Sequence, residues 1–237
     1  PPSQEKFHTS KISYQQKLLL ECFDFQVLKG RLSYLIQLLS NNAGVIQIYG
    51  ISNVHEIWKL AAEQIFTVSE KFKQQLHKIF LGRTLPETDP YTKERSTKAS
   101  QWFMDKFSLT FNDLAYSFYI ETDNKELDKR IIKALNNFKQ EFLIKSAGVK
   151  SCEKGFSPSI YLSSVYKAQV DFNPEKMKAA PVYTESQIEH EELFQQLKDW
   201  RTHKAKQGGV EAFQILHQRI LIQIAVNLPD NGADLLK

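Results

Sequence analysis

Residues 54–79, VHEIWKLAAEQIFTVSEKFKQQLHKI, decide the fold class. Val54, Trp58, Ala61, Ile65, Val68, Phe72, Leu76 and Ile79 step by three or four positions, the repeat that lines one buried face of an α-helix. Asn53 stands where an N-cap belongs, and Glu56 completes a capping-box-like pair. The same period recurs outward from this helix. Upstream, Tyr14, Leu18, Cys22, Phe25, Leu28, Leu32, Leu35, Ile36 and Leu39 predict one helix over residues 11–39, with Gly30 as its only kink. Asn41-Asn42-Ala43-Gly44 ends it. Residues 45–49 alternate as a strand would, but no partner is evident, so they are discounted as sheet.

Downstream, residues 82–90 form a loop with Pro86 and Pro90. Helices are expected at 92–107 and 110–120. A third, opened by Asp123 with Glu126, runs to Lys145 on an apolar face of Leu127, Ile131, Leu135, Phe138 and Phe142. Residues 147–157 read as a polar loop. Ser157-Pro158 is a cap followed by a first-turn proline, starting a helix to about Val170. Residues 171–181, with Pro174 and Pro181, read as an interdomain linker. Thr184 with Gln187 forms a second capping box before a helix through Leu193, Leu197 and Trp200. The fold class is therefore all-α: a larger helical domain over residues 1–180, then a small helical bundle over 184–237.

Composition agrees. The 237 residues are 42% hydrophobic, enough for a real core, and hold only nine glycines and eight prolines, too few for a turn-rich β-sandwich. Net charge is +4 with a pI near 8.9, compatible with nucleic acid without being diagnostic of it. Cys22 and Cys152 make neither a disulfide framework nor a metal-ligand pair, so a reducing, cytoplasmic location is expected. No apolar run approaches the ~20 residues of a membrane span. The chain opens at Pro1 without an initiator Met, and is read as an excerpt of a longer polypeptide.

Catalytic signatures fail one by one. No glycine begins the GxxxxGK[ST] loop that cradles phosphates. His55-Glu56 opens like a zinc-protease HExxH, but Lys59 stands where the second histidine must lie. Gly50-Ile51-Ser52-Asn53-Val54 misses the nucleophile elbow at its last position. Glu185, Glu189, Glu191 and Glu192 gather at a helix start, where they complement the macrodipole. No catalytic, metal or cofactor residue is assigned.

Basic stripes are the more informative feature. Lys125, Lys129 and Lys133 recur every fourth residue opposite the apolar face of their helix, and residues 125–154 carry eight basic side chains against four acidic ones. Such a stripe can track phosphates, although a solvated helix face reads the same way. Trp58, Trp102 and Trp200 fall on or near apolar stripes and are assigned to core packing rather than base stacking.

The last fifth of the chain supplies a resemblance. Leu193-Phe194-Gln195-Gln196-Leu197-Lys198-Asp199-Trp200-Arg201 is followed by Gly209-Val210, by Ala212-Phe213-Gln214-Ile215-Leu216 and by Leu221-Ile222-Gln223-Ile224-Ala225. Leu228-Pro229 and Asp234-Leu235-Leu236 close it. This succession closely resembles the HRDC domain, the helical module at the C-terminal ends of RecQ-type helicases and of RNase D, over residues 190–237. The family continues with a glycine-rich turn after its last helix, so the module is expected to be truncated here. Leu193, Leu197, Trp200, Phe213, Leu221, Ala225 and Leu228 would form its core, with Asp230 or Asn231 capping the last helix. The segment from Ser186 carries six basic and seven acidic residues, yet Lys198, Arg201, Lys204 and Lys206 cluster locally.

The resemblance implies auxiliary nucleic-acid binding, through that cluster with Arg219 and the stripe Lys125, Lys129 and Lys133. Residues 1–180 are similar, more weakly, to the helical region beside the motor of bacterial RecD-like helicases. The whole then reads as a non-catalytic accessory region of a bacterial ATP-dependent DNA helicase. Its partners would be single-stranded or junction DNA and the motor in cis, with ATP and magnesium confined to the motor. The alternatives are a protein-docking module and the C-terminal region of an RNase D-type ribonuclease.

Overall fold

The computed structural model describes residues 2–51, 53–174, 188, 190–210, 212–216 and 218–228. Helices dominate: α1 (Pro2–Cys22), α2 (Gln26–Asn41), α3 (Val54–Leu60), α4 (Thr67–Phe80), α5 (Pro90–Asn112), α6 (Lys125–Lys150) and α7 (Pro158–Asp171). Beyond them lie α8 (Glu191–Gly208), α9 (Ala212–Ile215) and α10 (Gln218–Asn227). The all-helical expectation holds. The helix predicted from residue 54 is continuous in direction, with π-helical turns over Ala61–Phe66 joining α3 to α4. Asn53 caps it through Oδ1, which accepts from the amides of His55 (2.9 Å) and Glu56 (3.3 Å).

The first long helix breaks at residues 23–25 rather than at Gly30. Phe23 and Phe25 are both buried, and turning two adjacent rings into one core requires leaving the helical path. Ser69 Oγ donates to the Phe23 carbonyl at 2.5 Å, and the Gln26 amide donates to Asp24 Oδ1 at 3.1 Å. These bonds satisfy backbone groups that the break would orphan. A Cβ at Gly30 would meet nothing within 4 Å outside its own helix backbone, and the helix passes through it.

Two further expectations are corrected together. One helix, α5 (Pro90–Asn112), replaces the two expected at 92–107 and 110–120; it is capped by Asp89, whose Oδ2 accepts from the Thr92 amide at 2.7 Å. After a π-helical turn over Asp113–Ser117, the chain enters a strand, β2 (Tyr119–Glu121), where a helix end was expected. That strand is the missing partner of β1 (Gln47–Tyr49), discounted from sequence. They pair antiparallel, Ile48 against Ile120, with the rings of Tyr49 and Tyr119 stacked 4.7 Å apart. Gly50, at φ +80, lets its backbone meet the Ser117 carbonyl, 2.1 Å from where a Cβ would stand. Asn124, not Asp123, caps α6. That helix also runs on to Lys150, through residues read as loop.

The core of α1–α7 is aromatic. Phe103, Phe107 and Phe111 recur along α5, and the last two meet Phe138 and Phe142 of α6, with centroids 5.4–5.8 Å apart edge-on. Phe23 and Phe25 close the other side of Phe103. A second, separate core joins Phe194 of α8 to Leu221, Ile222 and Ala225 of α10. Most of the linker expected at 171–181, the Thr184–Gln187 capping box, and the Asp230 and Asn231 cap with the helix after it lie outside the described residues.

Candidate nucleic-acid interface

The expected lysine stripe begins where α6 begins. Asn124 Oδ1 accepts from the Leu127 amide at 3.0 Å and fixes the first turn, so Leu127, Ile131, Ala134, Leu135 and Phe138 point inward. Lys125, Lys129 and Lys133 then fall on the exposed side. Successive members stand about 6 Å apart along the axis. Lys129 shares its charge with Glu126, 2.9 Å away and equally exposed, a pairing worth little in water.

Arg130 is exposed beside Lys129, and the other four basic residues of 125–154 do not join that stripe. Lys139 is 3% exposed, and desolvation pushes its ammonium below the usual lysine range. Lys145 donates from Nζ to the Glu21 carbonyl at 3.0 Å. Lys150 and Lys154 are exposed at the far end of the helix. What reads in sequence as one basic run is therefore two separate groups.

Helix α8 is rotated relative to the expected packing. Phe194, Arg201 and Ala205 face inward, a stripe at i, i+7 and i+11 that follows one face of a helix. Leu193 and Leu197 are only half-buried, and Trp200, expected in the core, is 48% exposed. Leu228, also expected in the core, is exposed. The side chain of Phe213 lies outside the described set. The rotation follows from Arg201. Its Nη1 donates to the Leu216 carbonyl at 3.0 Å just past α9, so the guanidinium ties two helices together while its stem packs between them. Arg201 is only 8% exposed, so it stands apart from the neighbouring lysines rather than beside them on the surface.

The outer face of α8 is thereby rebuilt. Trp200 and Lys204, four residues apart, share one exposed side, and Lys206 is exposed on another. Lys198 is half-buried, with Nζ 5.2 Å from the centroid of the Phe194 ring. The side chain of Arg219 lies outside the described set. An exposed indole beside an exposed ammonium can stack a base and hold the adjoining phosphate. Sequence reasoning placed Trp200 inside because Leu193, Leu197 and Trp200 are apolar at helical spacing. The signal that points the other way is Phe194 and Ala205, a second apolar stripe offset by one residue.

Trp58 is half-buried against the core, as expected. Trp102 is at the margin, 36% exposed, with Lys106 Nζ 5.7 Å from its ring centroid. Among the described residues no group of His, Cys, Asp and Glu is placed to hold a metal ion, and no helix is long and apolar enough to cross a membrane.

Comparison with known families gives two matches. A family model described as DNA helicase, middle domain, matches residues 6–172. A second, described as HRDC domain, matches residues 190–237. No curated protein and no solved structure matches the chain.

Proposed function

The chain belongs to the DNA helicase middle-domain family and carries an HRDC domain after it, and on that premise we propose that it is a non-catalytic accessory region of a bacterial ATP-dependent DNA helicase that holds single-stranded or junction DNA beside the motor. The observation that carries this reading is the tandem order of the two matches, which together cover both helical units. ATP and magnesium belong to the motor in this reading, and no residue described above is assigned to either. DNA contact falls to Trp200, Lys204, Lys198 and Lys206 of α8, with Lys125, Lys129 and Lys133 as a second basic surface. Arg201 is assigned to holding α8 against the end of α9.

The test is a titration of labelled single-stranded DNA with the full chain across a range of potassium chloride concentrations. Affinity should fall steeply as salt rises, because each neutralised phosphate releases counterions. Trp200→Ala should weaken binding by about tenfold, within the ~1–3 kcal/mol that stacking on one base contributes. Lys198→Glu with Lys204→Glu should lower both affinity and salt slope. Binding that ignores salt, or that survives both changes, would instead favour a protein-docking role for this face.

A further inference from the structure

A cleft of about 800 Å³ lies between the end of α6, the connection over residues 151–157, and α7. Lys93, Lys150, Lys154 and Lys167 line it, and none of the four is in an ion pair among the described residues. Three carboxylates share the lining, Glu87, Glu153 and Asp171. Glu87 is already engaged, accepting from Gln15 Nε2 at 2.9 Å and from Ser157 Oγ at 3.4 Å. The site is built rather than incidental at one wall. Gly155 sits at φ +92, and a Cβ there would lie 3.0 Å from Lys93 Cγ. Only a bare backbone lets the Lys93 stem rest against the 151–157 connection.

The cleft continues into a hollow of about 310 Å³, with Ala147, Lys150, Ala168 and Asp171 common to both. Here the walls are apolar, chiefly Met104, Leu143 and Phe172. Lys150 and Asp171 edge them, and the lining residue Ser146 has its Oγ shut off from solvent with no hydrogen-bond partner among the described residues. From Ile160 to Asp171 the two hollows follow α7 for about 16 Å. Lysines along one stretch, and a largely apolar hollow at its end, match a polymer with anionic linkages and flat, apolar-faced groups. An acidic peptide carries its charges on side chains and not in every linkage of its backbone, and a stacked duplex hides its base faces.

We propose that this α6–α7 cleft is a second binding site, for single-stranded DNA. The lysines hold phosphates, and the hollow at Phe172 receives one base. The inference rests on the reading of the chain as a nucleic-acid-binding accessory region, and it adds a site in the helicase middle domain, remote in sequence from α8.

The experiment uses the full chain and a fluorescein-labelled oligo(dT), with an abasic strand of equal length as second probe. The variants are Lys154→Glu with Lys167→Glu, both exposed and outside the core, and Phe172→Ala. The lysine pair should cut affinity at least tenfold and reduce the salt slope by about 1.4, at ~0.7 for each single-strand phosphate no longer neutralised. Phe172→Ala should erase the preference for oligo(dT) over the abasic strand at this site while leaving the salt slope unchanged. If the parent chain binds with a salt slope that Trp200→Ala with Lys204→Glu weakens but the cleft variants leave intact, the cleft proposal falls and the accessory reading stands. If the parent chain does not bind the strand at low salt, both fall. An equal loss on both probes with the lysine pair, and none with Phe172→Ala, would refute the base-receiving hollow.

Discussion

Lys139 is placed among the inward-facing residues of α6, beside Phe138 and one turn from Leu135 and Phe142. It has no ion pair among the described residues, and desolvation holds its ammonium below the usual range, so the folded state bears the cost of an under-solvated charge. Lys139→Met keeps the length of the stem and removes that charge. It should stabilise the chain by roughly 1 kcal/mol at neutral pH, and the gain should shrink as pH rises, since the parent lysine sheds its proton earlier in the folded chain than in the unfolded one. Thermal unfolding of both proteins at two pH values measures this. A lower midpoint for the variant at neutral pH would show that the ammonium is usefully solvated after all.

Cys22 and Tyr161 work in the opposite sense. The sulfurs of Cys22 and Cys152 lie 3.8 Å apart in the core. Burial, then the neighbouring thiol, pushes Cys22 well above its ordinary value, while burial chiefly, then the charge of Cys22, raises Tyr161. Both acids keep their protons in the folded chain at a pH where the unfolded chain releases them, from about 8.5 for the thiol and about 10 for the phenol. The unfolded state then binds fewer protons, and stability falls as pH climbs through that window. Tyr161→Phe should match the parent at pH 7 and exceed it at pH 10.5 in urea midpoint. Equal midpoints at both would show that the hydroxyl is solvated. The same burial should keep both thiols silent to a thiol reagent until the chain unfolds.

At the level of elements, the helices were legible wherever an apolar stripe ran without interruption, as over residues 54–80. The misreadings cluster where tertiary contacts override local signals. Gly148 is the clearest case. A glycine after Ser146-Ala147 reads as a stop, yet α6 passes through it, because α7 packs so closely that a Cβ there would lie 3.0 Å from Tyr161 Cε2 and 3.3 Å from Val165 Cγ2. That glycine is a contact surface, not a terminator, and sequence alone does not display the partner. Gly148→Val should cost roughly 2–3 kcal/mol by overpacking the α6–α7 seam, whereas Gly30→Val, with open space around it, should cost under about 1 kcal/mol. Urea denaturation of the two variants gives the comparison, and similar losses would mean the seam is soft. The two strands were illegible for a related reason: they are short, far apart in the chain, and identified by pairing and not by pattern. The candidate interface divides likewise. The exposed lysines follow from helical phase, but the burial of Arg201 and the release of Trp200 depend on where α9 ends.

Across the whole molecule, the two family matches coincide with two sets of buried residues that share no member. The first set is large and aromatic. The second, among the described residues, rests on Phe194, Leu221, Ile222 and Ala225, with the Arg201 bond to Leu216 as its tie between elements. A core that small leaves little margin over chain entropy, and two cores without common residues have no packing reason to melt together. Unfolding should therefore occur in two steps, the HRDC unit first. A chain in which Trp58 and Trp102 are replaced by phenylalanine reports the second unit through Trp200 fluorescence, while far-UV circular dichroism follows mainly the larger helical mass. Arg201→Ala should move the fluorescence transition to lower urea, since it removes a charged hydrogen bond and the packing of its stem, together about 2 kcal/mol. It should leave the main circular-dichroism transition in place. One coincident transition that shifts as a whole would mean that the two cores are coupled through contacts outside the described residues, and the accessory region would then act on DNA as one rigid piece rather than as two independently anchored ones.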